Sequence, residues 1–205
     1  PKGPVFIGLP VDVMEQETDV LPKNLHSFRE GVDEAGLATI VTALRSAQTP
    51  AIVAGDDIAR SNSVELVVEL AETLGAAVYQ EAMRVHAVFP NKHPQFQGRL
   101  PLEAASIAEA LSSHDCIFLI GGAFFDEVWF DDEDPIPVSA CAVRLERVPQ
   151  RLTQNLRNDF GAAGSIHRSL EIILKSIPSS KSAGKLRERL LEASQIRTKT
   201  IQARL

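Results

Sequence analysis

The residues most able to do chemistry in this chain stand where apolar runs stop. "AIVA" gives way to Gly55-Asp56-Asp57, "CIFLI" to Gly121-Gly122, and "CAVRL" to Glu146. Glycines at such places let backbone approach a bound group, and a carboxylate beside them can hold ribose hydroxyls. Gly55, Gly121, Gly122 and Glu146 are therefore a candidate nucleotide-binding set. The same residues can equally end strands tightly and solvate a rim. Neither a G-x-G-x-x-G fingerprint nor a phosphate-loop lysine motif is present.

The stretch after Gly122 is "AFFDEVWFDDED". It holds two phenylalanines, the single tryptophan and a dense acidic run from Asp126 to Asp134. Carboxylates in such number can collect a hard cation, but the D-x-D-x-D-G spacing of a calcium loop is missing, and consecutive acids suit solvation better than a cage. No metal site is expected. The histidines are His26, His86, His93, His114 and His167, and none stands at ligand spacing from another or from Cys116 or Cys141. His86 and His93 flank a proline-rich loop, where a histidine either serves a site or hydrogen-bonds to loop backbone. In "DFGAAGSIHRSL" (159–170) two glycines precede a helix whose free amides could take a phosphate, or Ser165 is a plain N-cap. No nucleophile elbow or supported Cys–His pair is found.

The elements that carry these residues alternate between strand and helix. Val5–Leu9 reads as a strand closed by Pro10. Residues 34–47 read as a helix capped by Asp33, with Leu37, Ile40, Val41 and Leu44 on one face. Pro50 breaks the chain before the short buried strand "AIVAG". Ser61 or Asn62 can cap a helix through Leu74 that Gly75 stops. Strands follow at 76–80, 116–122 and 139–146, with helices at 103–111 and 165–177. The proline-rich stretch 88–101 reads as a loop, and 183–204 as a last, largely polar helix. Strands alternating with helices of this length predict an α/β fold: a doubly wound, Rossmann-like parallel sheet with helices on both faces.

The bulk numbers fit one soluble domain with linkers. The chain has 205 residues, 44% hydrophobic and 23% charged, with a net charge of −6. That charge argues against nucleic acid as a partner. Two cysteines inside apolar runs and no signal peptide point to a reducing, cytoplasmic setting. No apolar stretch is long enough for a membrane span. The opening Pro-Lys-Gly-Pro, without methionine, leads at once into an apolar strand, as in a piece of a larger protein.

Several phrases together carry a resemblance. "GPVFIGLPVDV", "TPAIVAGDDIARSNSVELVVELAETLGAAVY", "FPNKHPQFQGRLP" and "HDCIFLIGGAFF" are similar to segments of thiamine-diphosphate-dependent decarboxylases, the benzoylformate decarboxylases in particular. The loop phrase FP-x-x-HP-x-F-x-G-x-x-P is the most specific of them. The resemblance runs from about Gly3 to Leu174. It implies a middle domain with a sheet of about six parallel strands. On this basis 1–31 end a preceding domain and its linker, 32–178 form the central domain, and 179–205 are a helical linker toward a C-terminal domain.

The resemblance further implies that thiamine diphosphate and Mg are bound in the parent mainly by the other two domains, which would be this domain's partners. The first of those carries an activating glutamate and the third a G-D-G…N motif. No cofactor and no catalytic residue are expected in this part alone. The parent would be a carbon–carbon lyase, a homo-oligomer (dimer or tetramer), cleaving a 2-oxo acid. Phe125, Val128 and Trp129 would line the rim of its substrate pocket, an apolar edge suited to an aryl or branched substrate. Val128 falls where benzoylformate decarboxylases place a proton-carrying histidine. The alternative within the same resemblance is a nucleotide-binding module for FAD, ADP or CoA, of acetolactate synthase or oxalyl-CoA decarboxylase type.

Overall fold

A computed structural model describes residues 4, 6–17, 19, 31–125, 133–154, 156–178 and seven positions between 184 and 195. Its centre is one six-stranded, all-parallel sheet in the order β3-β2-β1-β4-β5-β6. After a short helical turn α1 (Val11–Met14), the chain enters helix α2 (Glu34–Ser46), which starts where expected because the Asp33 carboxylate accepts from the Gly36 amide at 2.9 Å. Strand β1 (Pro50–Ala54) is buried along its whole length. The one-turn helix α3 (Asp57–Arg60) and α4 (Val64–Leu74) cross to β2 (Ala77–Gln80), with Gly75 at φ 66° ending α4. Edge strand β3 (Phe96–Arg99) completes this half.

Helix α5 (Ala104–Leu111) carries the chain back past β1 to β4 (Cys116–Ile120) and then β5 (Cys141–Glu146). A 3-10 turn at Pro149–Thr153 leads to β6 (Phe160–Ala163) and helix α6 (Ile166–Ser176). The strand order therefore reverses between β1 and β4, which opens the carboxyl ends of those two strands to a ligand or to other chain.

Alternate residues of the buried strands feed two cores, as the period of two demands. Ile52, Ala54, Val78, Phe118, Ile120, Val143 and Leu145 pack under α2, α4 and α6. Val53, Ile117, Leu119 and Ala142 face Ile107 and Leu111 of α5 together with Phe124 and Ile136. Gly36 lets α2 lie against β6: a Cβ there would stand 2.6 Å from the Gly161 carbonyl oxygen.

Five expectations change. Residues 88–101 contain β3, and residues 159–163 contain β6. Both are four-residue edge strands that pair on one side only and bury little, so neither shows an apolar run. Phe6–Leu9 form no strand; Phe6 is 96% exposed, with no strand beside it to pair with among the described residues, and Val5 lies outside them. Pro50 does not break the chain but opens β1 opposite Cys116, as proline can at the first position of a strand. The α4 cap is Ser63 rather than Ser61 or Asn62. Most of 183–204 lies outside the described residues, and the positions described there are helical.

Candidate functional site

The four nucleotide candidates do meet, at the carboxyl ends of β1, β4 and β5. Their glycines, however, are used against each other. The Gly55 amide donates to the Ile120 carbonyl at 3.0 Å and the Asp57 amide to the Gly121 carbonyl at 2.9 Å. A Cβ on Gly55 would lie 2.4 Å from the Gly121 carbonyl oxygen, and one on Gly121 would lie 2.9 Å from the Asp57 Cβ. Gly121 also adopts φ 61°, a region that favours glycine. The small residues serve the close approach of the two turns at the switch point.

Glu146 is fully buried and sealed by arginine. Its Oε1 accepts from Arg144 Nε at 2.8 Å, while Oε2 faces Arg151 Nη1 at 3.7 Å without a hydrogen bond. Burial pushes its carboxyl up, against the pull of Arg144 and Arg151. Arg144 also stacks over the Phe124 ring with its guanidinium carbon 5.6 Å from the centroid. Arg151 reaches across the switch point to Asp57 Oδ2 at 2.8 Å, and Arg60 takes Asp57 Oδ1 at 3.1 Å. The crevice that would receive a ribose is thus occupied by the chain's own ion pairs. An open cleft of about 380 Å³ lies further along, beside Arg147, Asp33 and Gly164, and none of the four candidates lines it.

Phe125 stands in the turn after β4 at φ 55°, partly buried against the α5-side core beside Phe124. Val128 and Trp129 fall outside the described residues, as does the acidic stretch from Asp126 to Asp132. Among the described residues no three His, Cys, Asp or Glu side chains gather as a metal site. Nothing here offers the carboxylate set that a Mg²⁺-diphosphate would need, so this chain's described residues do not fit the diphosphate end of a thiamine cofactor.

The histidines separate by environment. His93 organises its loop: its Nδ1 accepts from the Gln95 amide at 3.3 Å and its ring packs edge-on to Phe89. His114 is half-buried, between the Thr49 carbonyl at 3.1 Å and the Tyr79 hydroxyl at 3.2 Å, and burial lowers its pKa. His167 Nδ1 lies 3.2 Å from Ser63 Oγ, with Glu171 at 3.9 Å from Nε2. That outline of a hydrolytic triad fails, because Ser63, at the start of α4, is completely buried and no substrate reaches it. Ser165 is a plain N-cap, accepting from the Arg168 amide. Cys116 and Cys141 are register partners on β4 and β5; burial raises the Cys116 thiol to about 12 and leaves it inert.

His86 is exposed beyond the carboxyl end of β2, with Asp56 Oδ1 3.3 Å from its Nδ1. Spacing in the sequence could not pair them, since thirty positions separate the two residues.

Comparison with known proteins agrees with this architecture. Residues 37–173 match the family described as "Thiamine pyrophosphate enzyme, central domain". The acetolactate synthase large subunit of Buchnera aphidicola subsp. Schizaphis graminum is 28% identical over 194 residues, covering 91% of this chain and 34% of that protein. The sulfoacetaldehyde acetyltransferase of Alcaligenes xylosoxydans xylosoxydans is 32% identical over 121 residues, 58% of this chain and 20% of the enzyme. In fold, benzoylformate decarboxylase from Polynucleobacter necessarius superposes with a TM-score of 0.77 at 24% identity, over 84% of this chain and 33% of that one. The chain thus spans a fifth to a third of the length of these relatives. With its matched segment running from α2 to α6, it belongs to the thiamine pyrophosphate enzymes and carries their central domain.

Proposed function

We propose that this domain braces the cofactor-binding domains of a thiamine-diphosphate-dependent 2-oxo acid decarboxylase and lends residues, Phe125 among them, to the rim of its active site. The observation that carries a bracing role is the closed switch point. Gly55 and Gly121 are packed on each other, and Arg144, Arg151 and Asp57 fill the space around Glu146. A sheet whose ligand crevice is occupied by its own side chains offers an edge to other domains rather than a berth to a nucleotide.

The test has two arms. The full-length protein is mixed with FAD, ADP or CoA in a thermal-shift assay; no rise in Tm and a colourless preparation are expected, and a rise of several degrees would favour the nucleotide-binding reading. It is then supplied with thiamine diphosphate, Mg²⁺ and pyruvate, glyoxylate or benzoylformate. Release of CO₂ with a free aldehyde supports decarboxylation. A 2-hydroxy ketone or 2-hydroxy-3-oxo-acid product instead assigns carboligation, the reading favoured by likeness to the acetolactate synthase subunit over 91% of this chain.

A further inference from the structure

Two nucleophilic side chains meet at the amino ends of β4 and β5, away from the switch point. Cys116 and Cys141 open those strands and are register partners. Neighbouring strands lie about 4.8 Å apart, inside the range of ~4.4–6.8 Å over which two α-carbons can be bridged by a disulfide. Both side chains point to one face of the sheet. Cys116 belongs to the core under α2, α4 and α6, and Cys141 packs against that core. The two thiols are also hydrogen-bonded to each other. Neither obstacle to a bridge, distant α-carbons or diverging side chains, is present.

The pair is asymmetric in access and in proton affinity. Cys116 is buried, with β1 on one side and β5 on the other. Cys141 is partly exposed, because β6 starts only opposite Val143, and Val138 and Ser139 just before it lie open to solvent. Burial pushes the Cys116 thiol up to about 12, with Cys141 and Asp115 adding to the rise. Burial and then Asp159 raise Cys141 as well, but its bond with Cys116 and the nearby Arg157 pull it back. A bond that raises one thiol and lowers the other runs from the Cys116 S–H to the Cys141 sulfur. The exposed sulfur is therefore the first to reach the thiolate, the form that reacts. Cys116 is closed to reagents in solution. An electrophile formed on Cys141 nevertheless arises in contact with it, and contact replaces a slow encounter.

We infer that Cys116 and Cys141 form a reversible oxidation site for peroxides, with Cys141 the attacking sulfur and Cys116 the resolving one. The Cys141 sulfur attacks one peroxide oxygen and the O–O bond breaks. Cys141 becomes a sulfenic acid, and the other oxygen leaves with the thiol proton as water or an alcohol, so the sulfur is oxidised and the peroxide reduced. The Cys116 sulfur then attacks the Cys141 sulfur. The S–O bond breaks, the hydroxide takes the Cys116 proton and leaves as water, and the S–S bond forms. A dithiol reductant returns both thiols by exchange. The bridge closes a covalent ring around residues 117–140, which include the turn from Gly121 to Phe125. The inference does not rest on the function proposed above.

The experiment treats the folded full-length protein with hydrogen peroxide, blocks remaining thiols and maps the peptides. A glutamate-specific protease cuts at Glu127 and Glu133, between the two cysteines, so a bridge shows as two linked peptides. Most oxidised chains are expected to carry the Cys116–Cys141 link, and dithiothreitol to restore both thiols. Cys116→Ala removes the resolving sulfur. A 1,3-dione trap should then label Cys141 as a sulfenic acid at least about tenfold more than in the wild type, because nothing in contact consumes it. Three results in the wild type overturn the inference: both thiols intact under peroxide that oxidises free glutathione, Cys141 labelled or over-oxidised while Cys116 stays a thiol, or either cysteine linked elsewhere. A Cys116→Ala protein that fails to fold leaves the wild-type map to decide.

Discussion

His114 shows how a single half-buried ring can couple this fold to pH. It sits at the amino-terminal end of the sheet, its Nδ1 against the Thr49 carbonyl and its Nε2 against Tyr79, and burial lowers its pKa below 6.5. The unfolded chain therefore takes up the proton first as pH falls. Stability contributed by the neutral ring is present above the unfolded value and drains away as pH drops through 6.5 toward the folded one. Urea unfolding at pH 7.5 and pH 5.5 should show a loss on acidification in the wild type and a smaller loss in His114→Gln. Equal losses would mean that the ring does not set this dependence. None of this is legible from "SSHDC", where the histidine looks like any loop residue; its environment exists only once Tyr79 and Thr49 are brought to it from 35 and 65 positions away.

At the scale of elements, the turn glycines after β1 and β4 decide how closely two strand ends approach. Gly55→Ala would drive a methyl into the Gly121 carbonyl, and backbone on both sides cannot give way cheaply. The expected cost is on the order of 1–3 kcal/mol, the usual penalty for overpacking a filled site, with a matching fall in Tm. Gly122 is less confined, its nearest neighbour being 3.1 Å from an added Cβ, so Gly122→Ala should cost less. Denaturant melts of the two variants check the order. The central strands and α2, α4, α5 and α6 were all legible from the sequence, because each buries a long periodic or continuous apolar run. The edge strands β3 and β6 were not. An edge needs only one partner and little apolar area, so Phe96–Arg99 and Phe160–Ala163 look like loop until their neighbours are known.

For the whole molecule, the Asp57–Arg151–Glu146–Arg144 chain ties the half built on β1–β3 to the half built on β4–β6. Glu146 and Arg144 are almost fully buried, so removing either alone strands the other charge. Arg144→Met is expected to cost about 3–5 kcal/mol in urea unfolding, whereas Arg144→Met with Glu146→Leu should recover most of it. A double variant as unstable as the single one would show that the pair stabilises beyond relief of burial.

Fold class, main elements and family likeness were readable from the amino acids alone, because apolar periodicity, helix stops and a proline-histidine loop phrase are local signals that survive without a structure. It also brought Gly55, Gly121, Gly122 and Glu146 forward as a group, since strand ends in a parallel sheet gather at one edge. What they contact became clear only in three dimensions. Whether a glycine opens a cradle or permits two turns to touch depends on distances across strands, and whether a carboxylate waits for a ligand or is already held depends on arginines from elsewhere in the chain. The same is true of His86, whose partner Asp56 is thirty residues away and is brought to it only by the crossover from β1 to β2.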